Sequence, residues 1–318
     1  MASRHKLGGR FTPSLLLLIF MLLSVPWTPN SQGRVVDLET SFDEPVSSGL
    51  GGRTLLVEEI TATWCPTCAS IDPELVQVAD SHGSRIALIA LHPSDGEDAF
   101  QPEASQQRIE RLKTIQPDVA DSTPTFVVEA GVPRKGYDAW QEVQRDILNT
   151  ELTRQSTSQL EFEVIKTGTG YQATITTASL IEAEGSQLTF MLLEHEKPMP
   201  EGAINPGGDS RDRVLVGLAE CNVGNNTITS AFGYSGVSIN STCASSFSVE
   251  FGEMESWSLI LVHEATTESI KDGGPTSTYG AVELAKRSLA PASMESSATS
   301  LLIGSCAVLS ILAIIRKK

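Results

Sequence analysis

The chain has 318 residues, 40% of them hydrophobic, and a formal net charge of −16. That length exceeds one ordinary domain, and the apolar share is enough for packed cores. The acidic balance argues against a nucleic-acid partner, which needs a basic surface, and fits a solvated exterior.

Residues 1–33 read as an export signal. Arg4, Lys6 and Arg10 precede an uncharged, Leu-rich run from Ser14 to Val25, and Ser31 and Gly33 offer small residues for cleavage. The run suits a signal better than a full span, although an uncleaved anchor is the competing reading. Residues 34–53 are polar and Gly-rich, with a short lead-in strand near Val35 to Leu38. A buried strand follows, carried by Leu55, Leu56, Val57 and Ile60. Trp64-Cys65-Pro66-Thr67-Cys68 then places two thiols three residues apart at a helix start. A helix N-terminus carries partial positive charge and unpaired N–H groups, so it stabilises a thiolate at Cys65. Cys68 lies one turn in and can close a disulfide with it. Pro66 costs nothing there, because its missing N–H would be unpaired anyway.

The helix continues through Ile71, Leu75, Val78 and Ala79, and Pro73 should kink it. Arg85 to Leu91 is an apolar run of the kind expected for a central parallel strand. His92 closes it; it is either a loop histidine or, at the carboxyl end of a parallel strand, a group near Cys65. Residues 94–103 are acidic and loop-like, and Ala104 to Ile115 reads as a helix bearing Arg108, Glu110, Arg111 and Lys113. Thr123-Pro124 leads into a strand at Thr125 to Val128, Gly131 to Gly136 into a hairpin turn, and Asp138 to Leu152 into a helix with Trp140, Val143, Ile147 and Leu148 inward.

Together these motifs resemble the thioredoxin superfamily over about residues 35–153. The resemblance rests on Trp64, the Cys65–Cys68 spacing, the strand before it, and Thr123-Pro124 about 55 residues later. It implies a cis-proline at Pro124 facing the cysteine pair, with Thr123 offering backbone groups to an extended client. It implies that Trp64 shields one side of the disulfide. It also implies a proton-transfer role toward Cys68 for Glu59, six residues before Cys65, although the family usually has Asp there. Half of a four-cysteine zinc site is the alternative for Cys65 and Cys68, but Cys221, Cys243 and Cys306 lack the matching spacing. A purely structural disulfide is the other alternative.

After a polar linker at 154–159 the texture changes. Short alternating runs at 160–165, 171–177, 188–194, 212–218, 247–251 and 257–263, broken by Gly, Asn and Ser, indicate a β-sandwich, similar in pattern to immunoglobulin-like domains. Cys221 and Cys243 are expected to pair as a structural disulfide in an exported chain; the alternative is that one of them is a thiol acceptor for Cys65. Asn225-Asn-Thr and Asn240-Ser-Thr are glycan acceptor sequences wherever N-glycosylation occurs. Residues 266–295 read as a Ser/Gly/Pro-rich stalk, 296–315 as a transmembrane helix and 316–318 as a basic cytoplasmic tail.

The expected fold is thus an α/β thioredoxin-like domain at 34–153 and an all-β sandwich at 160–265. An N-terminal signal segment and a C-terminal transmembrane helix flank them. The expected function is a membrane-anchored extracytoplasmic thiol–disulfide oxidoreductase with Cys65, Cys68 and Glu59 as catalytic residues and Trp64, Thr123 and Pro124 at the client site. Its partners are protein thiols or disulfides, a membrane or soluble redox partner, and the bilayer; no cofactor or metal is called for. The rival is a cell-surface binding or scaffold protein that keeps the thioredoxin fold mainly as structure. Pro66-Thr67 between the cysteines leaves the direction of electron flow open.

Overall fold

The computed structural model describes residues 33–154 and 156–288. The signal segment through residue 32, the end of the stalk from 289, the span at 296–315 and the tail at 316–318 lie outside the described residues. Among the described residues no helix is long and apolar enough to cross a membrane. The fold is mixed α/β and mostly sheet.

In the first part the elements are β1 (Arg34–Val36), β2 (Val46–Ser47), β3 (Leu55–Ile60), α1 (Pro66–His82), β4 (Ile86–Leu91), α2 (Glu103–Ile115), β5 (Thr125–Val128), β6 (Arg134–Lys135) and α3 (Trp140–Thr153). Every residue of β3 and β4 is buried, as their apolar runs require. β3 pairs in parallel with β4 and antiparallel with β5, and β6 closes that edge. Alternation along β3 sends Leu55 and Val57 to one face, where Ile71 and Leu75 of α1 and Val143 and Ile147 of α3 cover them. Leu56 and Ile60 point the other way, onto Ile109 and Leu112 of α2. One inward expectation fails: Leu148 is 54% exposed. Val143 and Ile147 already fill the buried stripe of α3.

The second part contributes β7 (Gln159–Thr167), β8 (Gly170–Ser179), β9 (Ser186–Glu194), β10 (Lys197–Pro198), β11 (Ser210–Arg211), β12 (Val214–Asn222), β13 (Thr227–Phe232), β14 (Gly236–Ser238), α4 (Cys243–Ser246), β15 (Ser248–Gly252), β16 (Trp257–Ala265), α5 (Thr267–Lys271) and β17 (Gly280–Lys286). Five strands form one sheet in the order β14-β15-β8-β7-β2. Its inner residues, among them Phe162, Tyr171 and Val249, share a core with Phe190, Trp257 and Leu284 of the larger sheet. Cys221 and Cys243 are joined by a disulfide, Cα–Cα 5.8 Å, inside that core.

The larger sheet has ten strands and runs through both parts, in the order β1-β17-β16-β9-β12-β4-β3-β5-β6, with β13 beside β12. The seam is short: Val214 pairs with Ala90, and the Ala90 N–H donates to the Arg213 carbonyl at 3.0 Å. α2 lies across it, packing with Leu215, Met191 and Ile260 as well as with β3 and β4.

Three segment boundaries need correction. The lead-in strands β1 and β2 pair with β17 and β7, strands of the second part, and not with the strand before the cysteines. The linker is packed: the Arg154 guanidinium bonds Glu129 and the Thr278 carbonyl, and the Ser158 hydroxyl lies 2.7 Å from His263 Nδ1. The stretch expected to be stalk is structured too, through the last described residue, 288. Residues 280–286 form β17, seated between β1 and β16 and buried from Gly280 to Ala285, so their small and apolar side chains fill a core.

Candidate functional site

The loop after β3 delivers Cys65 to the N-cap of α1, with Pro66 in the first helical turn. The Cys65 sulfur accepts the Cys68 N–H at 3.1 Å, as an N-cap side chain does, so a helix N–H already addresses this sulfur. Cys65 and Cys68 form a disulfide, Cα–Cα 5.3 Å. The Thr123–Pro124 peptide is cis. The Thr123 carbonyl oxygen lies 3.9 Å from the Cys65 sulfur, so the two motifs that sequence placed 55 residues apart face each other. Trp64 is half-buried against the cysteines, and its Nε1–H donates to Asp95 at 3.1 Å.

His92 is fully buried and does not reach the sulfur as a hydrogen-bond partner. Its Nδ1 is 2.8 Å from Asp98 Oδ2, and the same carboxylate oxygen accepts the Thr63 N–H at 2.8 Å. The pair therefore clamps the loop that presents Cys65. Burial pushes the Asp98 carboxyl up, but its bonds to His92, Thr63 and Phe100 bring it below the usual range.

Glu59 shares the α1 face of β3 with Leu55 and Val57. Its Oε1 is buried without a partner among the described residues. Burial, then the charge of Asp72, hold its carboxyl well above the usual range. Asp72 follows Cys68 by one turn of α1. Burial and Asp212 push its carboxyl up to about 6 against the pull of Arg211.

The second part closes the site. The Arg211 guanidinium donates to the Thr63 carbonyl at 3.3 Å and to Asn205 Oδ1 at 2.7 Å. Gly207, in the loop between β10 and β11, packs so near Ala69 of α1 that a Cβ there would lie 3.0 Å from the Ala69 Cβ. Under this cover Cys65 is only 3% exposed. Asp72, Asp98 and Arg211 are the site residues that sequence reading missed. Arg211 carries no local signal at all, whereas Asp72 was findable from its four-residue spacing after Cys68.

One further arrangement appears only in three dimensions. His195 joins Asp212 (2.7 Å, Nδ1) to Ser258 (2.9 Å, Nε2) in the bonding order of a hydrolytic triad. A cavity of about 480 Å³ is walled by His195 and Asp212 but not by Ser258, whose hydroxyl is sealed in β16. Ser258 is buried and does not line that cavity, so among the described residues the trio reads as a structural network. Among the described residues no group of three or more His, Cys, Asp or Glu is placed to hold a metal.

No family model matches the chain. No curated protein matches it either. Two solved structures are similar. HBP35 of Porphyromonas gingivalis matches with a TM-score of 0.50 at 14% identity, over 73% of this chain and 74% of that one. A structural-genomics protein of Agrobacterium tumefaciens matches with a TM-score of 0.40 at 14% identity, over 72% of this chain and 93% of that one. At such identity the likeness to HBP35 is one of fold.

Proposed function

We propose that the chain is a thiol–disulfide oxidoreductase of thioredoxin-like build, held at a membrane by residues 296–315 with its body on the extracytoplasmic side. The observation that carries this reading is the Cys65–Cys68 disulfide at a helix N-cap, opposite the carbonyl before a cis-proline. A client thiolate attacks the Cys65 sulfur, and the Cys65–Cys68 bond breaks. Cys68 leaves with the electron pair and takes a proton from Glu59. A second client thiolate then attacks the mixed disulfide and releases the Cys65 thiolate, which the helix N-terminus stabilises. The client dithiol is oxidised to a disulfide and the Cys65–Cys68 pair is reduced; the reverse sequence reduces a client. Thr123 and Pro124 line the edge on which an extended client segment pairs.

The test is equilibration of the full chain with glutathione, alongside Cys65→Ser. The wild type should exchange, and the variant should fold and not exchange. A potential near roughly −120 to −180 mV makes the protein a disulfide donor, and one near roughly −270 mV a reductant. A wild type that never exchanges would sink the reading. The near-complete cover over Cys65 favours the second reading, a surface binding or scaffold protein in which this fold is mainly structural. Under it, Cys65→Ser leaves the cellular phenotype unchanged.

A further inference from the structure

Between β3 and α1, where Asp72 stands one turn after Cys68, lies a space of about 20 Å³, walled by Glu59, Asp72 and His92 together with Arg211, Asp212 and Arg213. That volume admits one water molecule. Glu59 Oε1, Asp72 Oδ1 and His92 Nε2 are all buried there without a hydrogen-bond partner among the described residues. A buried polar atom left unpaired is costly, so three around one space need a common reason. Two carboxylates facing one small buried space do not both ionise readily, because burial penalises each charge and each repels the other. One shared proton removes both penalties. The surroundings decide where it sits. Arg211 and Arg213 approach from the second part of the chain; Arg211 acts on Asp72, whereas Arg213 is paired with Asp80 and with Asp212. His92 is occupied by Asp98 on its other nitrogen. Glu59 forms no ion pair among the described residues, and the charge that acts on it is that of Asp72. The ionised member is therefore Asp72 and the protonated member Glu59.

We infer that Asp72 is a positioning residue of the exchange reaction: with Glu59 it retains one proton in the cavity that both line, and its negative charge keeps that proton on Glu59 for delivery to the departing Cys68 sulfur. This rests on the oxidoreductase reading. In the exchange step the Cys65–Cys68 bond breaks, Cys68 departs as a thiolate, and the Glu59 O–H proton moves to it. Glu59 becomes a carboxylate and regains a proton from solvent. A leaving thiol that is protonated as it departs leaves faster than a bare thiolate of high pKa. Asp72 acts through Glu59, by making its carboxyl a weaker acid, and touches no reacting atom.

The test follows reduction of the Cys65–Cys68 disulfide in the full chain by dithiothreitol, read by Trp64 fluorescence and expressed per reductant thiolate. In the wild type the rate should stay level past pH 7 and fall only where Glu59 loses its proton. Asp72→Asn removes the charge that holds the proton, so the fall should move down by at least about one pH unit. On the falling limb, where Glu59 is mostly ionised in both proteins, the variant should then be about tenfold slower, because one unit of pKa is a factor of ten in protonation. Asp72→Glu should restore the wild-type profile. An unchanged profile in Asp72→Asn overturns the assignment. Infrared titration of the oxidised wild-type chain gives a readout that needs neither turnover nor a variant. It should find one carboxyl still protonated above pH 7, and full ionisation of all carboxyls by pH 6 overturns the assignment as well. A wild type that dithiothreitol cannot reduce removes the oxidoreductase reading, yet the infrared result still decides whether the proton is shared.

Discussion

Arg108 offers the sharpest test of how the two parts of the chain hold together. Its guanidinium bonds Glu58 of β3 at 2.5 and 3.2 Å and Glu264 of β16 at 3.1 and 2.8 Å, with all three side chains essentially fully buried. Burial pushes the Arg108 pKa down, but the two carboxylates push it up further, and it stays charged. Arg108→Met keeps the side-chain volume and removes the charge. Glu264 would keep Arg111 at 3.2 Å and Thr189 at 2.9 Å. Glu58 would lose its ion-pair partner. Removing one member of a buried pair costs roughly 3–5 kcal/mol, and the loss here should reach about 4 because one carboxylate is stranded outright. For a chain of this size that lowers Tm by roughly 8–16 °C. Adding Glu58→Gln should recover part of the loss, since the stranded charge disappears. The pH dependence supplies a second signature. Burial pushes the Glu264 carboxyl up, but Arg108 and Arg111 bring it down to about 2 from an ordinary 4.5. A depressed carboxylate stabilises the fold above its unfolded pKa, and that stability is lost as pH falls from 4.5 toward 2. The slope in that window should be shallower in Arg108→Met. The assay is urea unfolding at pH 7 and at steps down to pH 3. A loss below about 1 kcal/mol at pH 7 would refute the claim that this network couples the parts.

Three further outcomes are expected. Replacing both Cys221 and Cys243 by Ser opens a 22-residue loop and should cost about 3 kcal/mol in urea unfolding, with glutathione exchange at Cys65 unchanged. His263 is held neutral by burial, its pKa brought down to about 4 from 6.5; unlike the unfolded chain it stays unprotonated between those values, so stability should decline as pH falls through that window, and His263→Gln should flatten the decline in calorimetry. Arg211→Ala cuts the bridge that ties Asn205 of the loop between β10 and β11 to the Thr63 carbonyl; iodoacetamide should then alkylate the reduced protein at Cys65 several-fold faster, and an unchanged rate would mean that the loop does not control access.

What could be read from the sequence follows from range. The strand before the cysteines, the turn into α1, the strand after Pro124 and the helices all carry local periods, and they lie within a residue or two of where those periods put them. Pairings between distant strands carry none. Nothing in Arg34–Val36 specifies Gly280–Lys286 as its neighbour, and the Ser, Thr, Gly and Pro around residues 266–279 made that strand look like part of a stalk. Arg108 and Arg111 were legible as helix residues but not as buried ones, because a charged side chain turns inward only when a partner waits there. Their partner, Glu264, stands 156 residues along the chain from Arg108.

The same limit explains the site. The cysteine pair and the proline opposite it belong to the first part and were visible; the groups that govern them come largely from the second. Arg211 braces the loop before Cys65 and faces Asp72, while Arg213 joins β12 to β4 at the seam and holds Asp80 of α1. The segment from β11 into β12 thus has two duties: β12 extends the sheet of β3 and β4, and Arg211 of β11 brings to Asp72 the positive charge that opposes the effect of its burial. If the exchange chemistry depends on that charge, the second part is more than a spacer. Its removal would expose Cys65 and at the same time strip Asp72 of the Arg211 charge that opposes its burial. A protein cut back to residues 34–153 would therefore lose the pH profile of exchange even where the cysteines themselves remain joined.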